Sequence, residues 1–204
     1  MHLFDQKILG IVILFLLCML VVVKQRATGA ILDRPQGTFL VRLVNSFNLF
    51  FLLIVNPVAA ILLITRRLEM IDPTRIIIHE PSLLTVLEVA GLVIYVLGYL
   101  FMAWALIRLG YNYQIGGSIP RPEDEIVMSG PYRLARHPMY SAAMGISLGL
   151  AVMTQSGVLF GVFGLYLMLI LILIPLEEEG LRQIYDKHYI HYQQKTKKLI
   201  PFVY

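Results

Sequence analysis

The residues best equipped for chemistry lie in two short stretches. The first is Gly130-Pro131-Tyr132-Arg133-Leu134-Ala135-Arg136-His137-Pro138-Met139-Tyr140, which sets two arginines, a histidine, two tyrosines, two prolines and a glycine between two apolar runs. Pro131 and Pro138 each fix their own φ and turn the preceding residue away from helix. Pro138 also suits the first turn of a following helix, where its missing N–H costs nothing. His137 and Tyr140 then stand at the mouth of that helix, whose free N–H groups and positive dipole end can hold a carboxylate or another anion. The second stretch is Glu177-Glu178-Glu179, directly after an apolar run. Carboxylates there oppose the dipole of the preceding helix, which points to a cationic partner. Each stretch also has a bland reading. Arg-His-Pro can cap a helix against phospholipid, and three glutamates can be a solvated face. Taken alone, the residues favour neither reading.

Other chemistries find little support. His188 and His191 are spaced i, i+3, but no H-E-x-x-H pattern accompanies them, and no metal site is expected. There is no P-loop, no G-x-G-x-x-G after a strand and no G-x-S-x-G. No membrane-embedded histidine is placed to hold a haem, and intramembrane charges are too few for an obvious ion pathway. Cys18 is the single cysteine, so it can neither form an internal disulfide nor anchor a zinc site.

The elements that must position these stretches are membrane helices. The chain is 58% apolar and 15% charged, with a mean hydropathy of +0.74, against about 25% charged for a soluble domain. The apolar residues gather into five runs: 8–23, 43–65, 82–107, 138–153 and 158–176. The expected fold is therefore an all-α integral membrane protein of about five transmembrane helices. The last two form a helical hairpin across the turn at Thr154-Gln155-Ser156-Gly157, and cytosolic connections and a C-terminal helix complete the fold. Asp5 and Lys7 nearly cancel before the first run, while Lys24 and Arg26 follow it. That order disfavours a signal peptide and places the N-terminus outside. Asn45, Asn48 and Asn56 interrupt the second run beside Pro57, which is expected to kink it. Glu88 lies about a turn and a half inside the third run, within reach of an interface. Gly145 and Gly149 give the fourth run the G-x-x-x-G spacing that lets helix backbones approach closely.

Charge tests the topology. Four Lys and Arg fall in 24–42, four in 108–137 and five in 177–204, so thirteen of the 17 lie on one face. The positive-inside rule makes that face cytosolic. The net charge of +4 is better understood through this distribution than as a nucleic-acid signal. Both chemical stretches then share the cytosolic side. Tyr185, Tyr189 and Tyr192 form one face of a tail helix that lies on the membrane or folds back over the loop. Residues 1–107 are expected to act as membrane anchor and substrate access, and 108–204 as the catalytic region of the same structural domain.

Ser129-Gly130-Pro131-Tyr132, Arg136-His137-Pro138-Met139-Tyr140, a helical hairpin, Glu177-Glu178-Glu179, Tyr189-Ile190-His191-Tyr192 and Leu199-Ile200-Pro201-Phe202 follow one another in this order. In order and spacing they resemble the isoprenylcysteine carboxyl methyltransferase family and its phospholipid methyltransferase relatives, over about residues 105–204. The resemblance implies S-adenosylmethionine as cofactor. Carried over by position, its contacts fall on Asp124, Glu125, Ile126, Val127, Tyr132, His137, Pro138, Met139, Tyr140 and Glu177, with Arg136, His137 and Tyr140 at the reacting groups. Arg136 or His137 suits the cofactor's carboxylate, Glu177 its ammonium or a ribose hydroxyl, and the tyrosines its adenine or sulfonium.

The implied acceptor is lipidic or amphiphilic, entering laterally from the membrane. Leu173 stands where the prenylcysteine enzymes carry an arginine for the substrate carboxylate, which argues for a different acceptor unless Arg108, Arg133 or Arg136 substitutes. Two other readings remain. A sterol-type, NADPH-dependent double-bond reductase also uses Arg-His-Pro-x-Tyr, but Met139 and the three glutamates disfavour it. A non-enzymatic membrane scaffold is favoured by the missing arginine alone. A short chain without a retrieval signal is expected in a prokaryotic inner membrane.

Overall fold

The computed structural model describes residues 4–29, 39–112 and 125–199. Asp124 and the closing Ile200-Pro201-Phe202, both singled out above, lie outside them. The described chain is helical: α1 Gln6–Thr28, α2 Phe39–Phe50, α3 Asn56–Ile64, the short α4 Leu68–Ile71, α5 Pro81–Leu109, α6 Pro138–Thr154 and α7 Gly157–Lys195. Four stretches are long and apolar enough to cross a membrane: α1, the combined 39–64 stretch, α5 with its 3₁₀ extension, and α7. The shorter apolar α6, 17 residues and about 25 Å long, completes the five expected runs.

Asp5 starts α1 by accepting a hydrogen bond from the Lys7 N–H, and Gly29 ends it in the left-handed conformation. The second run does not break at Pro57. Proline lacks an N–H and clashes with the carbonyl four residues back, and the helix absorbs this with a π-helical turn, Phe51–Val55. Two donors of Asn56 then reach the Phe51 carbonyl, its backbone N–H and its side-chain amide at 3.0 Å. The Asn56 carboxamide oxygen accepts from the Tyr95 hydroxyl at 2.7 Å, so this amide is spent on helix association.

The most extensive helix contact joins α5 and α6, where glycines let the backbones touch. A Cβ on Gly149 would meet the Tyr95 nitrogen at 2.5 Å, and one on Gly91 the Met153 nitrogen at 2.4 Å. Glu88 shares this face of α5 and is buried.

The two ends of the bundle differ. One end is stapled by polar side chains: Arg66 pairs with Asp5 at 3.1 Å and Arg75 with Glu69 at 2.9 Å. Ser156, the N-cap of α7, donates to Asp72. The Asp72 carboxyl also accepts from the Thr74 N–H at 2.9 Å and the Thr74 hydroxyl at 2.6 Å. Partial burial pushes its titration up, but these hydrogen bonds and Arg75 together hold it below the ordinary carboxylate range. A depressed carboxyl contributes stability above its unfolded value, and that contribution is lost as pH falls through the folded one. Asp72→Asn is therefore expected to lower stability by about 1 kcal/mol at pH 7, with the gap to wild type closing as pH falls through the titration of the folded carboxyl. Thermal melts across pH check this.

The opposite end gathers residues 110–112, 129–137 and 177–199, and with them both chemical stretches.

Candidate functional site

The chain enters the site through Gly130, whose φ is +61. A Cβ there would meet Arg108 Cγ at 2.9 Å, so the loop packs on the end of α5 only because this residue is glycine. A 3₁₀ turn, Gly130–Arg133, then buries Tyr132. Pro138 occupies the first turn of α6, with His137 as its N-cap residue, as the spacing of the prolines predicts.

The tail closes over this loop. α7 continues past its apolar part without a break. About 20 residues suffice to cross the hydrocarbon core, so Glu177 falls at its edge. At Asp186 the backbone leaves helical geometry (φ 45, ψ −124) and the chain turns back, so that Gln193 Nε2 donates to Glu178 Oε2 at 3.1 Å. Ala135 and Lys197 then pair in parallel. The N–H of Arg136 donates to the Lys197 carbonyl at 2.8 Å, and that of His137 to the Lys198 carbonyl at 2.9 Å. The Tyr192 hydroxyl donates to the Tyr132 carbonyl, and the Ser141 hydroxyl to the Leu199 carbonyl at 2.6 Å. Of the two arrangements the sequence allowed for the tyrosine face, this is the one folded over the loop.

Inside this closure lie two carboxylates with different duties. Glu178 is 2% exposed and Arg136 7%, and Arg136 Nε donates to Glu178 Oε1 at 2.7 Å. The same guanidinium donates to the carbonyls of Gln193 (3.1 Å) and Thr196. Its charge is paired with Glu178, and its Nε and Nη1 donors hold the tail. Glu177 accepts from the Tyr140 hydroxyl at 2.6 Å. His137 lies between the two: Nε2 is 3.2 Å from Glu178 Oε1 and Nδ1 is 3.6 Å from Glu177 Oε2. Its ring stacks on Tyr140, with centroids 5.8 Å apart.

The structure thus brings together Tyr132, Arg136, His137, Pro138, Met139, Tyr140 and Glu177 at the head of α6. Glu125 is exposed, and Ile126 and Val127 are half-buried in the extended approach. The approach is tied to the end of α5 by Asn112 Nδ2 and the Glu125 carbonyl at 3.5 Å, and stands apart from the ion-pair cluster. Asp124 is outside the described residues.

Sequence reasoning gave a cofactor contact to Glu177 alone of the three glutamates, placed Tyr189 only on the tail-helix face, and did not name Gln193. A continuous helix puts Glu178 100° from Glu177, on the side facing Arg136, and only the turn at Asp186 brings Gln193 back to it. The Tyr189 hydroxyl is buried without a hydrogen-bond partner among the described residues, close enough to Arg136 and both glutamates to feel their charge.

Since Arg136 balances Glu178, Glu177 is left with the Tyr140 hydroxyl and the His137 ring as its partners. Such a donor set suits a compact cation carrying hydrogen-bonding groups.

The pattern of the phospholipid methyltransferases matches residues 86–188. Protein-S-isoprenylcysteine O-methyltransferase B of Arabidopsis thaliana is 30% identical over 115 residues, covering 55% of this chain and 58% of that protein. A probable protein-S-isoprenylcysteine O-methyltransferase of Oryza sativa subsp. indica is 30% identical over 115 residues, with 55% and 60% covered. The chain therefore spans less than two thirds of the length of these curated relatives. The solved structure of the eukaryotic intramembrane Ras methyltransferase, isoprenylcysteine carboxyl methyltransferase, superposes with a TM-score of 0.52 at 17% identity, over 80% of this chain and 74% of that one. That likeness is one of fold, and it identifies the bundle as a multi-pass membrane methyltransferase fold. With half of its length in the family's pattern, and with the helical hairpin and the closing tail in place, the chain belongs to the phospholipid methyltransferase family.

Proposed function

We propose that the chain is an S-adenosylmethionine-dependent methyltransferase acting on a lipidic or amphiphilic acceptor. One observation carries the reading: the tail folds back over the head of α6 and leaves Glu177 beside Tyr140 and His137, with the competing positive charge of Arg136 already neutralised by Glu178.

S-adenosylmethionine supplies a methyl group on a positively charged sulfur, and its transfer to a nucleophile returns the C–S electron pair to that sulfur. The protein's work is to align and to exclude water. Glu177 pairs with the ammonium or a ribose hydroxyl. The rings of Tyr132, Tyr140 and His137 pack on the apolar and cationic parts. The first turn of α6, with Pro138 and Met139, faces the carboxylate. Glu125, Ile126 and Val127 line the approach, and Asp124, outside the described residues, is assigned to the cofactor with them. Arg136 acts as a positioning residue that pins the tail through Glu178.

Residues 1–107 serve as membrane anchor and acceptor access, and 108–204 as the cofactor region. The positive bias of this end of the bundle supports a cytosol-facing site.

Membranes containing the protein, given methyl-labelled S-adenosylmethionine and a total lipid extract, should move label into the organic phase. Glu177→Ala and His137→Ala should each cut that transfer by at least about tenfold, the loss expected for one charge-assisted contact. Absence of transfer by folded wild-type protein would overturn the reading.

A further inference from the structure

Two buried polar atoms between α2 and the apolar half of α7 or on the same faces have no hydrogen-bond partner among the described residues: the Tyr166 hydroxyl and the Asn45 amide nitrogen. The residues are 2% and 6% exposed. Within a hydrocarbon layer no water is at hand to satisfy such atoms, so leaving them unpaired is costly. The four residues Tyr166, Ile170, Leu173 and Glu177 follow one another at helical spacing and so lie along one face of α7. On α2 the face carrying Val41, Val44 and Asn45 is buried, and Asn48 is next along it. Phe47 stacks on Tyr166, with centroids 5.7 Å apart and planes 8° from parallel. Val41, Val44, Tyr140, Tyr166, Ile170 and Leu173 belong to one apolar cluster. The Asn48 amide approaches the Tyr166 hydroxyl without reaching hydrogen-bond geometry, and Glu177 is near enough for its charge to act on that hydroxyl. An apolar seam carrying uncharged donors therefore leads from the membrane to the Tyr140–Glu177 pair.

We propose that Asn45, Asn48 and Tyr166 recognise an uncharged oxygen, hydroxyl or carbonyl, on the methyl acceptor, an amphiphile whose apolar tail enters between α2 and α7. The inference rests on the methyltransferase reading and deepens it by naming the acceptor's chemistry. A neutral head fits because, among the described residues, no lysine or arginine is buried in the seam, and Arg42, the one on α2, is exposed. Leu173, fully buried, occupies the position where the enzymes it resembles carry an arginine. Arg136 is committed to Glu178. Arg108 and Arg133 are exposed at the end of the bundle. An ionised carboxylate beside Tyr166 would meet only the like charge of Glu177 and lose its hydration. A neutral oxygen would give the Tyr166 hydroxyl or Asn45 Nδ2 the acceptor that each lacks among the described residues.

The test uses the full chain in lipid nanodiscs and two labelled probes that differ only in the head, farnesol and farnesoic acid, with S-adenosylhomocysteine titrated separately. Farnesol is expected to bind wild type at least about tenfold more tightly than farnesoate. Tyr166→Phe and Asn45→Val should each weaken farnesol by about tenfold, the equivalent of one buried hydrogen bond, while S-adenosylhomocysteine affinity stays within about twofold. Tyr166→Phe removes a hydroxyl without a partner, so its melting temperature should match or exceed that of wild type. Unchanged farnesol binding in both variants, a preference for farnesoate, no farnesol binding by wild type, or a lower melting temperature for Tyr166→Phe would overturn the proposal. Wild-type protein that binds S-adenosylhomocysteine but not farnesol defeats this inference alone. The reverse pattern defeats the methyltransferase reading and leaves the polar site standing.

Discussion

Glu178→Ala is expected to do more damage than any other single change at the site, and to do it through the fold. The side chain is 2% exposed and its partner Arg136 7%. Removing the carboxylate strands a guanidinium in a dry setting, where breaking one half of a buried pair costs about 3–5 kcal/mol. Gln193 Nε2 loses its acceptor as well, so the segment after Asp186 comes away from the loop. Melting temperature should fall sharply, and S-adenosylhomocysteine affinity by at least about a hundredfold, since ordering the tail then falls to the ligand. Glu177→Ala should behave differently. Glu177 bonds to Tyr140 without bracing the tail, so its loss should weaken the ligand and leave the melting temperature nearly unchanged. Measuring both quantities on both variants separates a clamp from a contact.

Gly149→Val is expected to be the most destabilising change far from the site. Any Cβ at 149 meets backbone on three sides: the Tyr95 nitrogen at 2.5 Å, Tyr95 Cα at 2.7 Å and the Gly91 carbonyl oxygen at 2.8 Å. Backbone cannot swing aside as a flexible side chain can, so α5 and α6 must part. Overpacking of this kind costs about 3 kcal/mol or more. Gly145 has the same place in the sequence motif, but its nearest such contact is Gly98 Cα at 3.5 Å, which is ordinary packing. Gly145→Ala should therefore be close to neutral. Melting temperatures of the two variants in one detergent check the contrast, and comparable losses at both positions would contradict the geometry.

The comparison also illustrates what the sequence could carry. Hydropathy placed all five apolar runs to within a few residues, because each is dominated by apolar residues and bounded by charged or turn-forming ones. The prolines and glycine of 130–138 marked the entry to α6, because φ restrictions are written in residue type. The Gly145–Gly149 spacing announced a close contact, but not that the tight pairs are Gly149 with Tyr95 and Gly91 with Met153. Those depend on the register between helices, which no single helix encodes. Pro57 signalled a disturbance, and the π-helical turn that absorbs it came only with Asn56 and Tyr95 in view. The division between Glu177 and Glu178 was not legible, since it depends on which way α7 is rotated against the loop. The reversal at Asp186 was also hidden, because neither glycine nor proline stands there.

The measurement that bears most directly on the central claim is binding of S-adenosylhomocysteine to the purified wild-type protein by calorimetry, with NADPH and Glu177→Ala as controls. The account predicts micromolar affinity, at least tenfold weaker in the variant, and no response to NADPH; ten-fold corresponds to about 1.4 kcal/mol. Folded protein that ignores S-adenosylhomocysteine, or that takes up NADPH in its place, would contradict it.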